Sequence, residues 1–571
     1  MHKIDWIILI TTLLFIVIYG VYKTRGSKNV NDFIKGGNKA RWWTIGLSVM
    51  ATQASAITFL STPGQAFYDG MDFVQFYFGL PIAMIVICIV FIPIYHRLKV
   101  YTAYEYLEGR FDLKTRSLTA LLFLLQRGLS AGITIFAPAI ILSAVLGWNL
   151  VTLNIIIGLL VIIYTVSGGT NAVSVTQKQQ MMVIFIGMFV AFFLILRDLP
   201  ENINFSNALS IAGASGKMEI LDFSFDLNNR YTVWSGIIGG SFLALSYFGT
   251  DQSQVQRYLS GKSVREMRLG LLFNAFLKVP MQFFILLIGV MVFVFYQFNP
   301  SPLNYNPAAT KAVLNSSYAE DYQVLQDEQR LLFDAKKELL NYYVEQGRPE
   351  SIAKEIMAAY QAEKENRMAA RELIDLSEKE HNIKLESNDK DYMFIHFIIN
   401  NLPRGIIGLL LAVILSAAMS STASELNALA STTTVDLYKR SIKQNQSEYH
   451  YLKASKWFTV LWGLLAILVA SIANLFDNLI QLVNIIGSLF YGNVLGIFLL
   501  AFFIKFIKGR AVFFAAILTQ ILLFAIYYFA IFRLKQLNEQ PIFSFLWLNV
   551  VGSVLVIILA IIFQKINRQT N

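Results

Sequence analysis

Two runs, Trp6 to Tyr22 and Val550 to Phe563, contain no charged residue, and long apolar stretches recur between them. A mostly apolar stretch of about 18 or more residues reads as a membrane span, because in a bilayer every backbone polar group must be bonded within the protein. Composition agrees. Apolar residues make up 56% of the chain and charged residues 15%, where soluble domains hold about 45–50% and about 25%. A soluble enzyme, a disordered regulator and a nucleic-acid binder are excluded, despite a net charge of +10. Cys88 is the single cysteine, so no intramolecular disulfide, zinc cluster or redox pair can form.

A window of about 19 residues predicts thirteen spans, near 5–22, 42–68, 73–96, 117–146, 150–166, 175–196, 232–250, 268–298, 401–433, 456–475, 479–506, 511–532 and 543–565. The first is too long for a typical signal peptide and lacks a small-residue cleavage site. Alternate loops are basic. Lys23 to Arg41 carries six Lys/Arg against Asp32, and Arg97 to Arg116 carries five. Arg257 to Arg268, Lys439 to Lys456 and Lys505 to Arg510 continue the pattern. The positive-inside rule then puts the N-terminus outside and the C-terminus in the cytoplasm, in a multi-pass protein of the plasma membrane.

One segment departs from this. Asn299 to Asp391 holds 12 Lys/Arg and 18 Asp/Glu, a net of −6, which leaves +16 on the remainder. Tyr318 to Gln346 and Glu350 to Glu380 read as helices, separated by the breaker Gly347-Arg348-Pro349, forming an αα-hairpin outside the membrane. Its composition suits a solvated surface excursion; the alternative is a lid, or an arm contacting an unknown partner through 299–392.

Polar residues inside spans are costly and point to function. The second span carries Ser48, Thr52, Gln53, Ser55, Thr58, Ser61 and Thr62 with Pro63-Gly64. Broken backbone at membrane depth is tolerated only where protein or water satisfies it. The seventh span has Gly236, Gly239, Gly240 and Gly249 and ends in Thr250-Asp251-Gln252. Two interrupted spans five apart are the mark of an inverted repeat that binds substrate and ions at the breaks; for the glycines, close helix packing is the alternative. The ninth span adds Ser416, Ala417, Ser420, Ser421, Thr422, Ser424, Glu425 and Asn427. Ser420 and Ser424 share a helix face. Together with freed carbonyls, such hydroxyls suit a hard cation; back-bonding to the i−4 carbonyl is the simpler use of each one.

At these residues the chain resembles the sodium:solute symporter family, which has the leucine-transporter-type fold. Matching stretches are Ser55 to Pro63, Tyr101 to Leu107, Tyr164 to Gly169, Gln254 to Leu259 and Thr434 to Tyr438. The resemblance implies an all-α integral membrane protein of about 13 transmembrane helices, with a 5+5 inverted repeat, broken helices and an extracellular hairpin insertion. The parts would be an extra N-terminal helix and cytoplasmic loop (1–41), the first repeat and the start of the second (42–298, the second from 232), the insertion (299–392), the rest of the second repeat (393–506) and two C-terminal helices (507–571).

Carried over residue by residue, sodium would meet the carbonyls of Ala51, Ala54 and Ala417 and the hydroxyls of Ser420 and Ser421. Where some members have a second-sodium aspartate, this chain has Gln177, so one sodium per substrate is expected. Lys278 and Tyr247 match sugar-contacting positions, and Asn484 stands for a glutamine. Thr58 replaces another glutamine, for which Gln53 and Gln75 could substitute. The expectation is a sodium-coupled symporter of a small polar solute, a sugar or sugar-like molecule. The alternative is an organic anion such as sialic acid, a monocarboxylate or a vitamin, which would suit Lys278 equally well. Partners are the solute, sodium and the lipid bilayer; no cofactor is expected beyond sodium as coupling ion. A membrane enzyme lacks a candidate base, since His2, His96, His381, His396 and His450 all miss a suitable mid-span motif. A transporter-like sensor has only the outer hairpin in its favour.

Overall fold

The computed structural model describes residues 2–24, 34–381, 386–472, 479–537 and 539–569. Residues 25–33 of the basic segment before Arg41, 382–385 of the insertion, and 473–475 at the end of the tenth predicted span lie outside the described residues. The described residues are almost wholly helical. Among the described residues, nine helices are long and apolar enough to cross a bilayer, or ten if one bent pair counts as a span.

The first helix, α1 (Lys3–Thr24), is tied to the bundle where Asp5 accepts a 2.5 Å hydrogen bond from the Gly405 amide. The bent pair is α2 (Trp42–Gln53) and α3 (Ala56–Asp69), with a 60° change of direction. The break falls at Ala54-Ser55, and α3 runs on through Pro63. The Pro-Gly pair is thus a contact point: a Cβ on Gly64 would collide with the Lys390 carbonyl. Next come α4 (Asp72–Leu98) and α5 (Leu113–Leu146), whose start is capped by Asp112 accepting from the Thr115 amide at 2.7 Å.

The fifth and sixth predicted spans differ from expectation. They form one 48-residue helix, α6 (Leu150–Arg197). The stretch between the two apolar runs, Ser167 to Ser174, has two glycines and no proline. Glycine costs a helix about 1 kcal/mol but does not end it. At 1.5 Å per residue such a helix is about 72 Å long, so it must lie strongly inclined or extend beyond the bilayer.

The seventh predicted span is a π turn, Ser235–Gly239, leading into α7 (Gly240–Gly249). The helix stops at Thr250 and restarts as α8 (Gln252–Leu259). Its glycines do not make this break. A Cβ on Gly236 would strike the Gln75 carbonyl, and one on Gly240 the Phe76 carbonyl, so they let α7 lie directly on the start of α4. Close packing is what they provide.

Beyond lie α9 (Val264–Phe298), the hairpin helices α10 (Ala319–Glu345) and α11 (Glu350–His381), α12 (Lys390–Asn401) and α13 (Ile406–Thr432). The last four are α14 (Glu448–Ile472), α15 (Leu479–Phe503), α16 (Gly509–Tyr527) and α17 (Trp547–Gln569). Gly347 and Arg348 turn the hairpin with φ of 75° and 68°. Far from floating free, the hairpin folds back onto the bundle. The Tyr360 hydroxyl of α11 donates to the Tyr68 carbonyl at the end of α3 at 3.2 Å. Within the insertion, the Arg367 guanidinium donates to the Pro302 and Leu303 carbonyls at 2.9 Å, and Arg371 pairs with Asp389 at 2.6 Å. At the opposite end of the bundle, two of the family-like stretches meet. Asp436 accepts from Thr102 and from Arg116 Nε at 2.8 Å each, and Arg116 and Arg440 both pair with Glu108.

Candidate functional site

The α2–α3 break lies deep in the bundle. The Ala54 amide still closes α2 by donating to the Met50 carbonyl at 2.7 Å, and the Thr58 amide donates to the Ser55 carbonyl at 3.0 Å. Facing this break, α13 presents its polar row, every member of which is buried. Back-bonding accounts for part of the row. Thr422 donates to the Ala418 carbonyl at 2.9 Å and Ser424 to the Ser420 carbonyl at 3.0 Å.

Two hydroxyls are different. Ser421 Oγ lies 3.1 Å from its own i−4 carbonyl, Ala417, and 3.4 Å from the Ala51 carbonyl across the interface. Ser420 Oγ is 1% exposed and has no hydrogen-bond partner among the described residues. A buried hydroxyl without a partner is costly, and oxygens gathered without a donor fit a hard cation. The fold therefore brings Ala51, Ala417 and Ser421 together, with Ser420 and Ala54 on the same two elements.

Beside them, Gln177 of α6 donates from Nε2 to Thr52 Oγ1 and to Ser424 Oγ, both at 3.0 Å. Its Oε1 accepts from the Ser48 hydroxyl.

A cavity of about 90 Å³ opens next to the break. Of the six expected solute contacts, Gln53, Thr58, Tyr247 and Asn484 line it. Gln75 does not. Its amide donates to the Tyr231 carbonyl at 2.8 Å and accepts from the Asp222 amide at 2.9 Å, tying a loop in place. Lys278 is also outside the lining, one layer back. It is fully buried, its Nζ has no hydrogen-bond partner among the described residues, and it sits 5.7 Å from the ring centroid of Tyr77, which does line the cavity.

The principal residue missed in the sequence is Arg127. It lines the cavity with its guanidinium 5.3 Å from the Tyr247 ring centroid. One Nη pairs with Glu425 at 3.1 Å; the other contacts Asp251 and donates to the Tyr491 hydroxyl at 2.7 Å. Its Nε has no hydrogen-bond partner among the described residues. A signal was present, because Arg127 is the single charged residue in the predicted span 117–146, and an intramembrane charge is a functional residue by default. Asp251 also caps α8, accepting from the Ser253 amide at 2.9 Å. Arg127 thus fastens the second break, through Asp251, to α13, through Glu425.

With this geometry in view, comparison with known proteins is informative. The profile of the sodium:solute symporter family matches residues 33–320 and 381–519. A sodium/sialic acid symporter of Proteus mirabilis (strain HI4320) is 26% identical over 519 residues, covering 88% of this chain and 85% of that protein. A sodium-coupled monocarboxylate transporter 1 of Xenopus laevis is 26% identical over 510 residues, covering 88% of this chain and 68% of its own. Among solved structures, the substrate-bound outward-open state of a sodium-coupled sialic acid symporter aligns with a TM-score of 0.74 at 25% identity, over 99% of this chain and 98% of that one.

Proposed function

The chain belongs to the sodium:solute symporter family, a family of transporters, and from that premise we propose that it imports a small organic anion with one sodium ion per cycle. Sodium-coupled symport across a membrane follows from the family. The anion is supported by Arg127: a guanidinium in the cavity wall whose Nε–H has no partner offers a carboxylate a charged donor. Gln53, Thr58, Thr134 and Asn484 around it can bond the hydroxyl or amide groups of such a solute. The relatives point the same way, since their names give sialic acid and monocarboxylates as cargo. A neutral sugar, the first expectation, is set aside because the relatives named above carry acids.

Sodium is placed at the first break, on the carbonyls of Ala51, Ala54 and Ala417 and the hydroxyls of Ser420 and Ser421. There it would hold α2 and α3 against α13 and so favour the arrangement that receives solute; coupling requires this difference in affinity between states. One sodium is supported by Gln177, an amide where some members have a second-sodium aspartate, whose N–H groups are already engaged with the Thr52 and Ser424 hydroxyls. The insertion and the N-terminus are placed outside and the C-terminus in the cytoplasm of a plasma-membrane protein.

Uptake of radiolabelled N-acetylneuraminate, pyruvate and glucose into proteoliposomes tests the reading. An inward sodium gradient should drive accumulation of at least one acid, and Arg127→Ala should abolish it. Accumulation of glucose alone, or uptake indifferent to Arg127, would refute the anion.

A further inference from the structure

The family profile stops at residue 320 and resumes at 381, so α10 and most of α11 lie outside the part of the chain that it matches. One face of α11 carries Tyr360, Glu363, Lys364, Arg367, Met368 and Arg371, a spacing of three and four that forms a single stripe. The stripe covers Phe67, Tyr68 and Asp69 at the end of α3, and Phe293, Tyr296 and Gln297 near the end of α9. Between them lies a cavity of about 130 Å³. It is separate from the one at the break. Helix α3 begins at the break and ends here, 14 residues later, about 21 Å along its axis.

Positive charge is in surplus around this cavity. Its lining holds Lys364, Arg367, Arg371 and Lys390 against Asp69 and Glu363. Lys390 pairs with Asp69 at 2.7 Å, Arg371 with Asp389 behind the wall, and Glu363 with Lys336 on α10. Arg367 donates to the Pro302 and Leu303 carbonyls and to the Ser301 hydroxyl at 2.7 Å, with Glu363 no nearer than 3.6 Å. Lys364 is exposed and makes no hydrogen bond or ion pair among the described residues. Aromatic rings form the remaining wall. Gln297 is 3% exposed; its Nε2 donates to the Phe293 carbonyl at 2.9 Å, while its Oε1 has no partner. Like several other buried amide oxygens in the bundle, it is an acceptor still open to a donor.

We propose that this cavity is a second binding site, outside the transport pocket, for a small carboxylate bearing a hydroxyl group. The carboxylate faces Lys364 and Arg367, and the hydroxyl donates to Gln297 Oε1. The choice of an acid rests in part on the anion reading of the transport pocket; the cationic surplus supports it independently. The site would collect solute above the mouth, on an element that the family profile does not include.

Full-length protein in lipid nanodiscs is titrated with L-lactate and with N-acetylneuraminate, followed by saturation-transfer NMR, in potassium buffer and again in sodium buffer. Wild type and Arg127→Ala should both bind at least one acid in potassium. Lys364→Glu with Gln297→Leu should weaken that binding at least tenfold while keeping the sodium-dependent increment, which also shows that the variant is folded. Lys364→Glu alone, at an exposed side chain, should weaken it about threefold. Absence of potassium binding in wild type, or binding lost in Arg127→Ala and unchanged in the hairpin variants, would overturn the second site. Failure of the transport reading looks different: the sodium-dependent increment would be missing from wild type whatever the potassium result.

Discussion

The two helix breaks, Ala54-Ser55 and Thr250-Asp251, occupy corresponding places in the chain yet are finished in opposite ways. At the first, no charged side chain caps the helix ends; the groups nearby are carbonyls, serine hydroxyls and one unpartnered Ser420 Oγ. At the second, Asp251 caps the new helix and is bound in turn by Arg127, which also holds Glu425. An open set of neutral oxygens can change its occupancy at modest cost. A buried ion-pair network cannot, since removing one charge leaves the others uncompensated. On the proposed reading, the first break suits a passing ion, and the second suits a fixed frame that holds Arg127 in the cavity wall.

The largest expected effect breaks the frame. Arg127→Ala leaves Asp251 and Glu425 buried without their cation, so uptake should vanish and unfolding should become easier by about 3–5 kcal/mol; thermal unfolding in detergent reads this. Packing next to the second break comes second. Gly236→Ala puts a methyl group into the Gln75 carbonyl, at a cost of about 1–3 kcal/mol, again seen as a lower unfolding temperature. A smaller, purely ionic change is expected at the first break. Ser421→Ala should raise the sodium concentration for half-maximal uptake about tenfold, on the order of 1.4 kcal/mol, with little loss of stability. An unfolded Ser421→Ala protein would contradict the contrast drawn between the breaks.

An effect of pH concerns the far end of α3, where Lys217 donates to the Tyr68 carbonyl and contacts the Tyr360 hydroxyl under the hairpin. Burial pushes its ammonium down to about 7, with Asp69 and Glu363 opposing and Lys364 and Lys390 adding to the shift. The folded protein then binds fewer protons here than the unfolded chain between pH 7 and 10.5, so this group's contribution to stability rises with pH over that window. Lys217→Met should flatten the rise in unfolding temperature between pH 7 and 9.

Much of this architecture is legible in the amino acids. The hairpin helices were expected at 318–346 and 350–380 and are found at Ala319–Glu345 and Glu350–His381, because a Gly-Arg-Pro turn between charged, alanine-rich segments has one simple solution. The bend in the second span is readable from its seven polar side chains. Its position is not: Pro63-Gly64 draws attention, but proline is held inside α3 by the surrounding packing, and the chain opens nine residues earlier. Glycines in the seventh span mislead similarly, since a glycine that frees the backbone and one that admits a neighbouring carbonyl look alike in sequence. The loop expected between 166 and 175 fails to form for want of a proline. Gln53, Thr58, Tyr247 and Asn484 line one cavity, whereas Gln75 is drawn off by backbone partners that only tertiary structure supplies. Arg127 was visible as a lone intramembrane charge; its two carboxylates lie 124 and 298 residues away, and no local pattern joins them.

The central claim is that sodium bound at the first break drives uptake of an organic anion. It is tested most directly by labelled N-acetylneuraminate and pyruvate uptake into proteoliposomes, with wild type and Ser421→Ala compared across a sodium series. The account predicts accumulation of an acid that requires an inward sodium gradient, saturates with a Hill coefficient near one, and shifts to higher sodium in Ser421→Ala. Accumulation that persists when potassium replaces sodium, or a sodium dependence that Ser421→Ala leaves unmoved, would contradict it.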